Sequence, residues 1–167
     1  MIFVHWITAG QHAALLDGAA MGTEDPEPER IAAFCARNRV PYSTPSTAIA
    51  CFADTVPLAI AARHRGMVRL TLDVEWLLEE VRVVHPGSLA DLLLALDDRQ
   101  GRGLEVWKEL RAVRVLGGAP ADRGDAIARL VADYRGTRWV EARIFRGLDL
   151  DDVDSWLTET GLPVLEA

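Results

Sequence analysis

The sequence predicts an α+β domain, a small mixed and split β-sheet flanked by helices, and three observations lead there. A continuous apolar run near the start, residues 2–8, and two-residue apolar alternations around residues 67–73 and 138–145 read as strands. Between them lie segments of helical period, punctuated by glycine and proline. Strands and helices do not alternate in the regular order that a doubly wound sheet requires. No repeat, low-complexity tract or long linker divides the chain, so residues 1–167 read as a single domain. With half of its residues apolar and about a quarter charged, a chain of 167 residues can bury about 70% of its unfolded surface.

Taken in order, Ile2-Phe3-Val4-His5-Trp6-Ile7-Thr8 is apolar at nearly every position and reads as a buried strand. Residues 11–16 form a short helix that Asp17-Gly18 closes, the glycine supplying a left-handed turn. After an acidic, proline-bearing loop, residues 29–37 give a helix with Ile31, Ala32, Phe34 and Cys35 inward. Residues 39–47 are polar and twice broken by proline, which predicts an extended segment or loop lining something. Cys51-Phe52-Ala53 is a short apolar run, and Asp54, Thr55 and Pro57 announce a helix that Gly66 ends. Residues 67–73 alternate as a strand with Val68, Leu70 and Leu72 on one face. A helical turn at 75–80, a strand at 81–85 and a helix at 89–96 follow, the last capped by Ser88. Residues 104–115 and 122–134 predict two amphipathic helices, residues 151–160 another with Val153, Trp156 and Leu157 inward, and residues 162–165 a last strand.

The net charge of −7 disfavours extended contact with nucleic acid, since a backbone-gripping protein carries a basic stripe. Arg63, Arg65 and Arg69 are the nearest approach to one, and such a cluster suits a solvated helix end. Cys35 and Cys51 sit among apolar neighbours and read as buried free thiols, which fits a reducing cytoplasm. Neither a basic leader nor a spanning apolar segment is seen, so no membrane association is expected. His5, His12, His64 and His85 are not spaced as metal ligands, and no serine stands on a Gly-x-Ser-x-Gly turn. Gly101 and Gly103 lack the remainder of a dinucleotide fingerprint.

Two polar residues interrupt apolar strands. In Trp139-Val140-Glu141-Ala142-Arg143-Ile144-Phe145, alternation sets Val140, Ala142 and Ile144 on one face and Trp139, Glu141 and Arg143 on the other. A carboxylate between an indole and a guanidinium is dry on one side and charge-paired on the other, an environment able to hold a ligand hydroxyl. The same pattern also describes an ordinary strand with one wet face. His5 is either a core histidine satisfied by a backbone carbonyl or part of a ligand site.

These segments carry a resemblance. Val4-His5-Trp6-Ile7-Thr8 with Leu15-Leu16-Asp17-Gly18, then Cys51-Phe52-Ala53-Asp54-Thr55-Val56-Pro57-Leu58, then Val140-Glu141-Ala142-Arg143-Ile144 are similar to three segments of the DarT-like and related abortive-infection ADP-ribosyltransferases. The resemblance implies an ADP-ribosyltransferase-like fold that binds NAD and transfers ADP-ribose to a protein, small molecule or nucleobase, as a defence toxin or a tailoring enzyme. It further implies His5 and Glu141 as catalytic residues, with His5, Thr8, Tyr42, Ser46 and Thr47 binding NAD. In that scheme His5 holds a ribose hydroxyl, Tyr42 packs on nicotinamide, and Glu141 stabilises the cationic sugar. The chain departs from the family in having Ile7 where a threonine is common, with Thr8 one place on, and in having no basic residue between Ser43 and Thr47. A non-catalytic, partner-binding or immunity-type protein on the same fold is the alternative expectation.

Overall fold

The computed structural model describes residues 1–22, 25, 27–97, 111–134 and 139–153. Among these residues the chain is a mixed α/β structure built on a six-stranded sheet. The strands are β1 (Ile2–Ile7), β2 (Thr47–Phe52), β3 (Val68–Thr71), β4 (Val83–Pro86), β5 (Arg114–Val115) and β6 (Val140–Ile144), in the spatial order β3-β1-β2-β6-β4-β5. Every neighbouring pair is antiparallel, where the sequence reading expected a mixed sheet. Alternation reports which face a side chain takes, not which way the strand runs, and the long helical connections can return the chain in either direction.

The helices are α1 (Ala9–Leu16), α2 (Pro28–Arg37), α3 (Leu58–Arg63), α4 (Val74–Glu80), α5 (Leu89–Asp97) and α6 (Pro120–Asp133). Thr8 starts α1 through a capping box: its hydroxyl accepts from the Gln11 amide at 3.2 Å and its own amide donates to Gln11 Oε1 at 2.9 Å. Gly18, with φ +87°, takes the left-handed conformation after the helix. Glu27 and Pro28 start α2 and Asp73 caps α4, as polar and proline residues before an apolar period do.

One face of the sheet presents Phe3, Ile49, Cys51, Val84, Val140, Ala142 and Ile144 to α4 and α6, through Leu77, Ile127 and Leu130. The other face is divided. Val83 packs under α2 and α5 with Ile31, Cys35, Leu89 and Leu93. Val4, Ala50 and Phe52 pack with Ile60 of α3, Trp6 and Trp139. The expected alternation of Val140, Ala142 and Ile144 is thus the one observed.

The expected helix at 104–115 is corrected at its end, because Arg114 and Val115 pair with Val84 and Val83 as the edge strand β5. The alternation Val113-Arg114-Val115, with two β-branched valines around an arginine, suits an edge better than a helix. Residues 104–110 of that segment lie outside the described part. After β6 a 3-10 turn, Leu150–Asp152, replaces the start of the expected helix, and Val153 makes a bridge to Leu72. The rest of that helix and the strand at 162–165 fall outside the described residues. No described helix is long and apolar enough to cross a membrane.

Between α1 and α2 the chain is strapped to the end of β6. Met21 and Leu148 form a two-way backbone bridge, Met21 N donating to Leu148 O at 2.6 Å and Leu148 N returning the bond. The approach needs a bare backbone: a Cβ on Gly147 would stand 2.4 Å from the Met21 carbonyl oxygen. Gly147→Ala should therefore lift the strap and lower stability by ~1–3 kcal/mol, on the scale of other overpacking changes, as read from the urea midpoint. An unchanged midpoint would show that the strap does not dock this closely.

Candidate functional site

Glu141 lies at the centre of β6, opposite Ala50 of β2 on one side and His85 of β4 on the other. Trp139 is two residues earlier and so shares its face, and the indole Nε1–H donates to Glu141 Oε1 at 2.8 Å. The bond fixes the carboxylate and keeps one of its flanks apolar. Over the Trp139 ring stands the Arg63 guanidinium, 5.9 Å from the centroid.

Small residues on β2, Ala48 and Ala50, leave space above the sheet, and the result is a cleft of about 200 Å³. Glu141, Trp139, Trp6, His5 and His64 all line it. Trp6 and His64 form one wall as a stacked pair, with ring centroids 4.0 Å apart and planes within 11°. His64 follows α3, and its Nδ1 lies 2.9 Å from the Ile60 carbonyl oxygen one turn back.

His5 reaches this cleft by an unexpected route. Val4 stands opposite Ala50 and Ala50 opposite Glu141, so strict alternation sends His5, the next residue, to the face away from Glu141. The pairing of β1 with β2 ends at Val4 and Ala50, however, and beyond it the His5 ring takes a place against β2, its Nδ1 3.0 Å from Ala48 O. A carbonyl oxygen only accepts, so Nδ1 carries the proton and Nε2 the lone pair. Burial pushes the His5 imidazole below its usual range, the Ala48 bond partly opposing this, and the ring is neutral. The carbonyl-satisfied histidine and the cleft-lining histidine are the same residue here.

The other sequence candidates are placed elsewhere. Tyr42 donates to Asp25 Oδ2 at 3.1 Å and Ser46 to Asp25 Oδ1 at 2.6 Å, both beside α2. Arg143, expected to pair with Glu141, instead donates from one guanidinium nitrogen to Asp25 Oδ1 at 2.5 Å and to Ser46 Oγ at 2.8 Å. Thr47 donates to the Arg146 carbonyl oxygen at 2.9 Å, and Thr8 serves as the α1 cap. Thr8, Tyr42, Ser46 and Thr47 are thus not among the cleft-lining residues. Face alternation alone could not reveal this, because the partner that draws Arg143, Ser46 and Tyr42 together is a single aspartate in a proline-bearing loop.

Buried chemistry surrounds that aspartate. Asp25 is 7% exposed and Arg143 4%. Burial and the Asp25 hydrogen bond push the Tyr42 hydroxyl up to about 12, and burial pushes the Cys35 thiol up to about 11. Cys51 is also raised by burial, and both thiols are free and inert in this state. His85 is fully buried, with Nδ1 2.8 Å from Gly87 O and Nε2 without a partner. Burial, with the Arg143 charge behind it, pushes its imidazole down to about 3. No group of three or more potential metal ligands occurs among the described residues.

Comparison with known proteins finds no matching family model, curated protein or solved structure.

Asp25→Ala should cost ~3–5 kcal/mol because it strands a buried guanidinium, whereas Asp25→Leu combined with Arg143→Met should cost clearly less. Urea unfolding of the two variants decides this, and equal losses would refute the pairing. His85 sets a pH dependence. The unfolded imidazole protonates near 6.5 and the folded one near 3, so its contribution is full above 6.5 and is lost progressively as pH falls towards 3. Between neutrality and about pH 5 the wild type should lose ~2 kcal/mol more than His85→Met, measured as the difference in unfolding free energy.

Proposed function

We propose that this chain is an NAD-dependent ADP-ribosyltransferase whose reacting centre is the cleft at Glu141. The observation that carries the reading is the carboxylate itself: half-buried, held by Trp139 at 2.8 Å, and set in a cleft that also admits His5. At about 200 Å³ the cleft is smaller than the pockets that swallow whole drug-sized ligands, and it suits one end of a dinucleotide, a nicotinamide with its ribose. The sheet is continuous, where a split one was expected, and the end of the β1–β2 pairing at Val4 and Ala50 is what supports room for a ligand there.

Bound NAD supplies a ribose carbon joined to a positively charged nicotinamide that can depart as a neutral molecule. Glu141 accepts a ribose hydroxyl and faces the positive charge that grows on the sugar, an interaction stronger in the transition state than before it. Trp139 prevents the carboxylate from turning away. His5 offers the Nε2 lone pair to a second hydroxyl, and Trp6 and Trp139 provide flat apolar surface in the part that the resemblance gave to Tyr42. The acceptor belongs to one of three classes, a protein side chain, a small molecule or a nucleobase, and the net charge of −7 speaks against a long nucleic-acid footprint. A cytoplasmic defence toxin or tailoring enzyme is the setting this reading implies.

One observation favours the second reading, a non-catalytic partner-binding protein. Among the described residues no lysine or arginine lines the cleft to meet the negative charge of a dinucleotide, and the Arg63 guanidinium stands over Trp139 without being part of that lining. The two readings separate on ligand binding. NAD at one hundred times its dissociation constant adds about 2.7 kcal/mol to stability, visible as a rise in Tm, while the partner-binding reading expects no rise at millimolar NAD.

Glu141→Gln tests the chemistry, because it keeps the shape and removes the charge. Nicotinamide release from NAD should fall by roughly a hundredfold or more, equivalent to ~2.7–4 kcal/mol, with little change in NAD affinity and a matched melting curve. Turnover equal to the wild type in a folded variant would remove Glu141 from the mechanism.

A further inference from the structure

We propose that His64 is the general base of this site, the group that takes the proton from the acceptor as it attacks the ribose; the proposal rests on the transferase reading. Glu141 is occupied with the sugar in that reading, and an acceptor bearing an O–H or N–H still needs somewhere to put its proton. His64 lines the same cleft, at the end of α3.

Its geometry is that of a prepared base. The bond from Nδ1 to Ile60 O, at 2.9 Å, places the ring proton on Nδ1 and leaves the lone pair on Nε2. Stacking on Trp6 at 4.0 Å and 11° fixes the plane of the ring. Tautomer and orientation are therefore both set before any ligand arrives, which is what an effective base requires. His5, the other histidine of the cleft, is less suited: its ring is packed between strands against Ala48 O, and its burial disfavours the protonated form. His64 is partly exposed, so a proton taken up there can leave to solvent.

The step balances as follows. The bond between the ribose C1′ and the nicotinamide nitrogen breaks, its electron pair leaving with neutral nicotinamide. A lone pair of the acceptor forms the new bond to C1′. The acceptor's proton passes to His64 Nε2, giving an imidazolium that returns it to water. No oxidant, reductant or metal is involved.

The test uses NAD with water as the acceptor and then with sodium azide, an anionic nucleophile that has no proton to lose. His64→Gln should release nicotinamide about a hundredfold more slowly than the wild type in water, and azide should restore most of the rate. Azide should not restore Glu141→Gln, whose defect lies in stabilising the sugar. His64→Ala should likewise recover with added imidazole, at melting temperatures matched to the wild type. A His64→Gln rate equal to the wild type overturns the proposal. So does a slow variant that neither azide nor imidazole restores, since that describes a wall residue and not a base. If the wild type releases no nicotinamide at all, the transferase reading fails first and the role of His64 with it.

Discussion

The buried pair of Asp25 and Arg143 is the contact on which the rest of this architecture depends. Two charges removed from water need further hydrogen bonds, and here one carboxylate takes bonds from Arg143, Ser46 and Tyr42, while Arg143 Nε has no partner among the described residues. Arg143 comes from β6, Ser46 and Tyr42 from the approach to β2, and Asp25 from the connection between α1 and α2. Three separate parts of the chain are thereby tied at one point. The Met21 and Leu148 bridge, four residues before Asp25 in the chain, ties the same connection to the far end of β6.

This pairing also decides the character of the cleft. His85, Glu141 and Arg143 belong to one face of adjoining strands, yet their surroundings differ sharply. Arg143 faces the dry compartment under α2 and α5, along with Cys35 and Val83. Glu141 faces the open compartment under α3, with an indole as its close neighbour. Asp25 takes the Arg143 guanidinium, while the Glu141 carboxylate is held by the Trp139 indole among the residues that line the cleft.

Much of this was readable from residues alone. The alternation through Trp139 and Phe145 gave the correct faces for Val140, Ala142, Ile144 and Glu141, because pleating is a local property. Gly18 and Gly66 marked helix ends by their need for positive φ, observed at +87° and +78°. Strand direction was not readable, nor was the destination of Arg143, since both depend on segments distant in sequence. Arg143 and Ser46 are 97 positions apart, and no local period carries that information. His5 was legible as an interruption, but its position in the gap beside Ala48 follows from where a ladder stops, which is a tertiary fact. His64 was legible only as a metal-ligand candidate and Trp6 only as part of an apolar strand, so their stacking as one wall of the cleft was not foreseen.

The strand order has a consequence for how the protein is made. The central pairing joins β2 to β6, so the middle of the sheet cannot close until the chain beyond residue 144 has been synthesised. Up to that point β1, β2 and β3 can associate, but the inner edge of β2 stays open and Arg143 is not yet available to Asp25. Sheets assembled from such distant segments fold slowly and expose unpaired edges meanwhile. The finished sheet no longer offers that inner edge, and among the described residues its two outer strands are short, β5 of two residues and β3 of four, which limits edge-to-edge pairing.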